Sequence, residues 1–207
     1  MMQVLIDPQK FFENKIKEDP DFKQPLMIIG IMAVISAVSA YIIASKLIGN
    51  LPSDMASVAQ IGAAIGAIFA IISVFIMWLV YSGIFYGISL VLSGQGTFKR
   101  VCEFVAYGFL PSILGSVLSL VLTSKAYSSL DLSVQDPALL EKAMFSDPYI
   151  MASTVIGILL TLWSANIWVF AMMHARNLTV KNALITVGVP MGLYVIYMIY
   201  TLLQALS

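Results

Sequence analysis

Glu103 sits in the apolar stretch 98–124, and a carboxylate at membrane depth is costly unless it finds a partner. Arg100 lies one helical turn before it and Tyr107 one turn after, so the three share a face if the stretch is helical. Two kinds of chemistry fit such a trio. One is a proton or cation relay, or a carboxylate that holds a lipid amine. The other, which the small number of partners favours, is an interfacial ion pair that pins the inner end of a span. Asn166 follows Trp163 in another apolar run and reads as a hydrogen-bond tie between helices rather than a substrate ligand. His174, with Met172, Met173 and Cys102, has the soft donors that copper(I) favours. No ligand spacing recurs among them, however, and methionine in an apolar helix is usually filler, so no metal site is expected and His174 reads as the inner cap of its helix beside Arg176.

These residues lie in a chain that is 60% hydrophobic and 11% charged, with a mean hydropathy of +0.94. Soluble domains carry about a quarter charged residues. The composition is that of an integral membrane protein. Its 207 residues suffice for several spans of about 20 residues with short connections and leave no room for a soluble domain. Eleven cations balance eleven anions, so no bulk charge points to nucleic acid. There is no HExxH, GxSxG or P-loop, and one histidine and one cysteine do not make a catalytic constellation. No enzyme activity and no cofactor are expected.

The elements that must position the polar residues can be read in chain order. Asp7-Pro8 is a helix start, since Asp accepts from free N–H groups and Pro has the φ of a first turn. Phe11, Phe12 and Ile16 share one side of the short helix that follows. With no other core for two adjacent phenylalanines, residues 8–18 read as an interfacial anchor within a cytoplasmic segment 1–24. The membrane domain 25–207 then holds five spans, at about 25–46, 57–93, 98–124, 148–174 and 181–206. In the first, Gly30, Ala33, Ala37, Ala40 and Ala44 form a small-residue stripe that predicts an internal packing face.

The second run, Met55 to Leu92, carries no charge and no polar turn. It reads as one long, tilted or kinked span that bends at Gly83 and Gly87. Gly62 with Gly66, and Gly83 with Gly87, predict close helix packing within the chain. Pro111 predicts a kink near the centre of span three, and Pro190 another in span five. Asp136-Pro137 and Asp147-Pro148 repeat the helix-start signal. The first opens a short amphipathic helix in the longest polar connection, and the second opens span four. With the N-terminus inside, the inner segments hold Lys10, Lys15, Lys17, Lys23, Lys99, Arg100, Arg176 and Lys181, against Lys46, Lys125 and Lys142 outside. The positive-inside rule predicts N-in, C-out.

Three places carry a family resemblance: DPQKFF at 7–12, GQGTFKRVCEFVAYGFLPSILG at 94–115, and the pattern from Trp163 through His174 and Lys181-Asn182-Ala183 to Pro190. In their order and spacing the chain resembles the Yip family, five-span membrane proteins known as partners of Ypt/Rab GTPases. The resemblance implies an all-α, polytopic integral membrane protein with five transmembrane helices plus a short N-terminal interfacial helix. It also implies a role as a membrane-organising or trafficking-type scaffold, with no catalytic residues to carry over. Eukaryotic members bear a long cytosolic N-terminal region, and here about 24 residues precede span one. A Rab-type GTPase is therefore not expected as a partner. The compact form is similar to bacterial and archaeal members, which implies a prokaryotic plasma membrane, with the lipid bilayer and further copies of the chain or other membrane proteins as partners. The alternative is a small-molecule, ion or lipid transporter or binding protein centred on Glu103. It predicts that Glu103 and Asn166 face a polar cavity open to one side.

Overall fold

The computed structural model describes residues 2–49, 53–129, 143 and 146–206. Among them there are eight helices and no strand: α1 (Met2–Ile6), α2 (Pro8–Lys15), α3 (Lys23–Ile48), α4 (Ser53–Val91), α5 (Phe98–Tyr107), α6 (Leu110–Ser129), α7 (Pro148–Ala175) and α8 (Val180–Leu206). Five of them, α3, α4, α6, α7 and α8, are long and apolar enough to cross a membrane. Helix starts follow the side chains that satisfy their free N–H groups. Asp7 accepts from the Lys10 amide at 3.1 Å, and Asp147 accepts from the amides of Tyr149 and Ile150 at 2.8 and 3.2 Å. The start at Asp136-Pro137 lies outside the described residues, as do Asn50 and Pro52 of the first connection.

The spans close into a ring. Helix α3 packs against α4 and α6, α7 packs against α6 and α8, and α8 returns to α4. Of the small-residue stripe on α3, Ala33 is buried and Ala37, Ala40 and Ala44 are partly buried, while Ile31, Val34, Val38 and Tyr41 face outward. Helix α5 fills one end of the ring against α3, α4 and α7, and α2 lies on α7 at the same end.

Two expectations are corrected here. The stretch 98–124 is not one kinked span but two helices, broken at Gly108 and Phe109. Pro111 has no N–H to donate to the carbonyl of Tyr107, four residues back, so the helix stops at Tyr107 and a new one starts just ahead of the proline. The amides of Gly108 and Phe109 donate instead to Val105 and Ala106, three residues back, at 3.1 and 3.2 Å. The bend therefore precedes Pro111 by one turn. The glycine pairs differ as well. Gly62, Gly66, Gly83 and Gly87 are exposed, and a Cβ at any of them would meet nothing within 4 Å. Helix α4 is one uninterrupted helix of 39 residues, and the glycines lie on flanks that its neighbours in the ring do not cover. Pro190 lies inside α8, which continues through it.

Candidate functional site

Helix α5 is the most enclosed element of the molecule, with every residue from Arg100 to Tyr107 buried. Enclosed on all sides, its carbonyls can take a second hydrogen bond only from side chains of the neighbouring helices. Two tryptophans supply the donors. The Trp78 indole on α4 donates to the Cys102 carbonyl at 2.8 Å, and that of Trp168 on α7 donates to the Val105 carbonyl at 2.7 Å. The second contact explains Gly108. A Cβ there would lie 2.0 Å from the Trp168 ring nitrogen, so a larger residue would push the indole off its acceptor. Tyr81 stacks on Trp168 with centroids 5.2 Å apart, and Phe109 meets its edge at the same distance.

The expected trio forms on α5. The Arg100 guanidinium binds Glu103 at 2.8 Å and also donates to the carbonyl of Glu18. The second Glu103 oxygen accepts from the Asp21 amide at 3.4 Å, and the Tyr107 hydroxyl donates to Gln24 at 2.9 Å. Every polar arm of the trio ends on the chain that leads from α2 into α3. Phe12 enters the same place, fully buried against Phe104 at 4.8 Å, and Phe11 meets Tyr107 edge-on at 5.0 Å. The adjacent phenylalanines thus have a protein core to enter, which the absence of any other apolar run before α3 concealed. Helix α5 lies outside the five spans. Burial pushes the Glu103 carboxyl above its ordinary range, while Arg100 and the Asp21 amide oppose that rise. Burial and the neighbouring Glu103 push the Tyr107 phenol up as well, which keeps the proton that it donates to Gln24.

A second buried charge was read from sequence only as an inner cation. Arg176 is 1% exposed, and among the described residues no carboxylate pairs with it. Its Nε donates to the Ser89 hydroxyl at 2.9 Å, its two terminal nitrogens donate to the carbonyls of Gly94 and Gly96, and its plane covers Tyr86 at 4.5 Å. The Gln95 amide returns a bond to the Arg176 carbonyl at 2.7 Å. What balances the charge is the convergence of two helix C-termini. Helix α4 ends with the Gly94 amide bonded to the Ser89 carbonyl and Ser93 at φ 60°, and α7 ends with the Leu178 amide bonded to the Met173 carbonyl and Asn177 at φ 50°. Both are Schellman ends with a left-handed residue. Each helix terminus carries roughly half a negative charge, so two of them offset about one guanidinium.

The glycines of the loop are dictated by this approach. A Cβ on Gly94 would lie 2.8 Å from the Ser89 carbonyl, and one on Gly96, at φ +113°, would lie 2.4 Å from that of Ala175. No pairwise signal in the sequence joins positions 94–96 to 176, eighty residues on.

The other two expected residues stay apart from the trio. Asn166 is exposed and ties no helices together among the described residues. The buried face of α7 runs through Ser164, Ile167, Trp168, Ala171, Met172 and Ala175, and Asn166 falls between its members. Trp163 instead reaches α1, donating to the Leu5 carbonyl at 3.3 Å. His174 lies in the last turn of α7, half-buried, and its Nε2 has no partner among the described residues. Met172 points into the core and Cys102 is enclosed in α5.

Because lysine carries its charge on a single nitrogen, Arg176→Lys keeps the charge but cannot bridge Ser89, Gly94 and Gly96 at once. The variant is expected to lose about 2 kcal/mol of stability through the acceptors left unpaired, read as a lower unfolding midpoint in detergent. A midpoint equal to wild type would show that the three bonds contribute nothing.

Comparison with known proteins agrees with this architecture. The model of the Yip1 domain matches residues 2–202. An uncharacterized protein of Methanocaldococcus jannaschii is 30% identical over 136 residues, covering 66% of this chain and 94% of the relative. No solved structure matches the chain. With a match that runs from α1 into α8, the chain belongs to the Yip1 domain family of multi-pass membrane proteins.

Proposed function

We propose that this protein is a non-enzymatic membrane scaffold that organises bilayer or protein components in the manner of a trafficking-type factor. One observation carries the reading. The ionisable groups of the trio are spent on the protein itself: Arg100, Glu103 and Tyr107 all end on the α2–α3 connection, on the first turn of α3 or on one another. Among the described residues, neither Glu103 nor Asn166 lines the cavities between α3, α4, α6, α7 and α8, so the transport reading centred on Glu103 gains no support. An ion pair that locks an end piece onto a helical ring has the properties of a structural clasp. Its partners in this reading are the lipid bilayer and either further copies of the chain or other membrane proteins. The membrane is the prokaryotic plasma membrane.

Glu103→Gln separates a clasp from a binding residue. Removing one member of a buried pair strands the other, which costs about 3 kcal/mol. Native mass spectrometry of wild type and variant is expected to show the same bound species, with a lower melting temperature for the variant. Loss of a specific ion or lipid from the variant would overturn the scaffold reading.

The excess of cations at the end that carries α5 supports an N-in orientation. In a Cys102→Ser background, a cysteine at the exposed loop position Gln95 is expected to react with an impermeant thiol reagent only from the inside, and one at Gly49 only from the outside. The opposite pattern would invert the orientation.

A further inference from the structure

The centre of the helical ring is hollow. Two adjoining cavities of about 400 Å³ each share Ser36, Ser112, Thr161 and Tyr194, one residue from each of α3, α6, α7 and α8. They adjoin across these residues as two unlike lobes. The lobe far from α5 is lined by hydroxyls, with Ser39, Ser116, Ser119, Thr123 and Ser153 added to the shared four. The lobe next to α5 is lined by soft apolar groups, including Met32, Met77, Met191, Phe109 and the stacked pair Tyr81 and Trp168.

Hydroxyls in an apolar setting need partners. Some find them locally: Ser39 donates to the Ile35 carbonyl at 2.8 Å, Ser116 to that of Ser112 at 2.8 Å, and Ser119 and Ser153 pair across α6 and α7 at 2.7 Å. The side chains of Ser36, Ser112, Thr123 and Thr161 make no hydrogen bond among the described residues. Ser164, in the wall of the apolar lobe and 1% exposed, has an Oγ without a partner among the described residues. Ser164 is fully buried, while Ser36, Ser112, Thr123 and Thr161 are half-buried and open onto the cavity, where a ligand can reach their hydroxyls.

Among the described residues, no charged side chain lines either lobe. A charged ligand would therefore be stripped of water without a counter-charge, which the interior of a membrane protein disfavours strongly. The volume lies in the range of small-molecule sites, and the polar division along it matches a molecule that is polar at one end and apolar at the other. We propose that this cavity binds a neutral, hydroxyl-bearing lipid of the diacylglycerol class, with its glycerol hydroxyl and esters among the serines and threonines of α3, α6 and α7 and an acyl chain among the methionines and rings beside α5. The site is separate from the Arg100–Glu103–Tyr107 trio, none of whose members lines it, and it does not depend on the scaffold reading.

The test uses the full-length protein in detergent, with native mass spectrometry after titration with dioctanoylglycerol or with dioctanoyl phosphatidate, which has the same tails and a phosphate. One equivalent of dioctanoylglycerol is expected to be retained, at least tenfold more tightly than phosphatidate. The double variant Ser36→Ala with Thr161→Val keeps most of the volume and removes two unpartnered hydroxyls. It is expected to weaken dioctanoylglycerol about tenfold with an unchanged melting temperature, while Ser112→Trp fills the junction of the lobes and abolishes retention. Equal or tighter binding of phosphatidate, no retention by wild type, or full retention by a folded double variant would each overturn the proposal. If a variant does not fold, the comparison of the two lipids on wild type decides alone.

Discussion

A guanidinium held among backbone carbonyls, with no carboxylate beside it, is the interaction on which the rest of this molecule depends. Arg176 sits where the C-termini of α4 and α7 converge, and its charge is offset by the two helix dipoles and the face of Tyr86. Two helix ends of like polarity would otherwise repel. With the cation between them they can be drawn together, which fixes the loop 92–97 and, directly after it, the start of α5. The Asn182 side-chain Nδ2 donates from α8 to the Leu92 carbonyl at 3.3 Å, so three spans are joined at one point.

From that point the enclosure of α5 follows. Pro111 frees α5 from α6, and the tryptophans of α4 and α7 take up carbonyls of the short helix. The N-terminal segment then closes over its remaining face with Phe12, Glu18, Asp21 and Gln24. Each layer rests on the one before. The ion pair of Arg100 and Glu103 fastens the N-terminal segment to the same end of the ring that Arg176 holds. At the opposite end of the ring the Lys46 ammonium donates to the Ser124 carbonyl at 2.8 Å, tying α3 to α6.

Much of this was legible in the sequence, and the reasons for the rest are physical. Five apolar helices and two Asp-Pro helix starts are local features, governed by hydrophobic length and by capping, and were readable as such, although the third apolar helix starts at Leu110 rather than at residue 98. The spacing of Arg100, Glu103 and Tyr107 is also local, so their shared face was readable. Their partners were not, because Glu18, Asp21 and Gln24 come from about eighty residues away. Pro111 was recognised as a disruption, yet a proline's missing bond is felt four residues earlier, and that displaced the break to Gly108. The glycine pairs of α4 misled for a different reason: a small-residue pattern says that a helix can be approached closely, not by what. The sequence marks Arg176 only as an inner cation and hides its burial, since its counter-charge is made of backbone rather than of any side chain.

Hydrogen exchange of the wild-type protein in detergent tests the central claim, that the Arg176 clamp holds the α5 end of the ring closed. The account predicts that the Gln95 amide and the amides of residues 101–107 exchange among the slowest in the molecule, at a common rate. Rapid exchange at Gln95, on the timescale of an open loop, would contradict it.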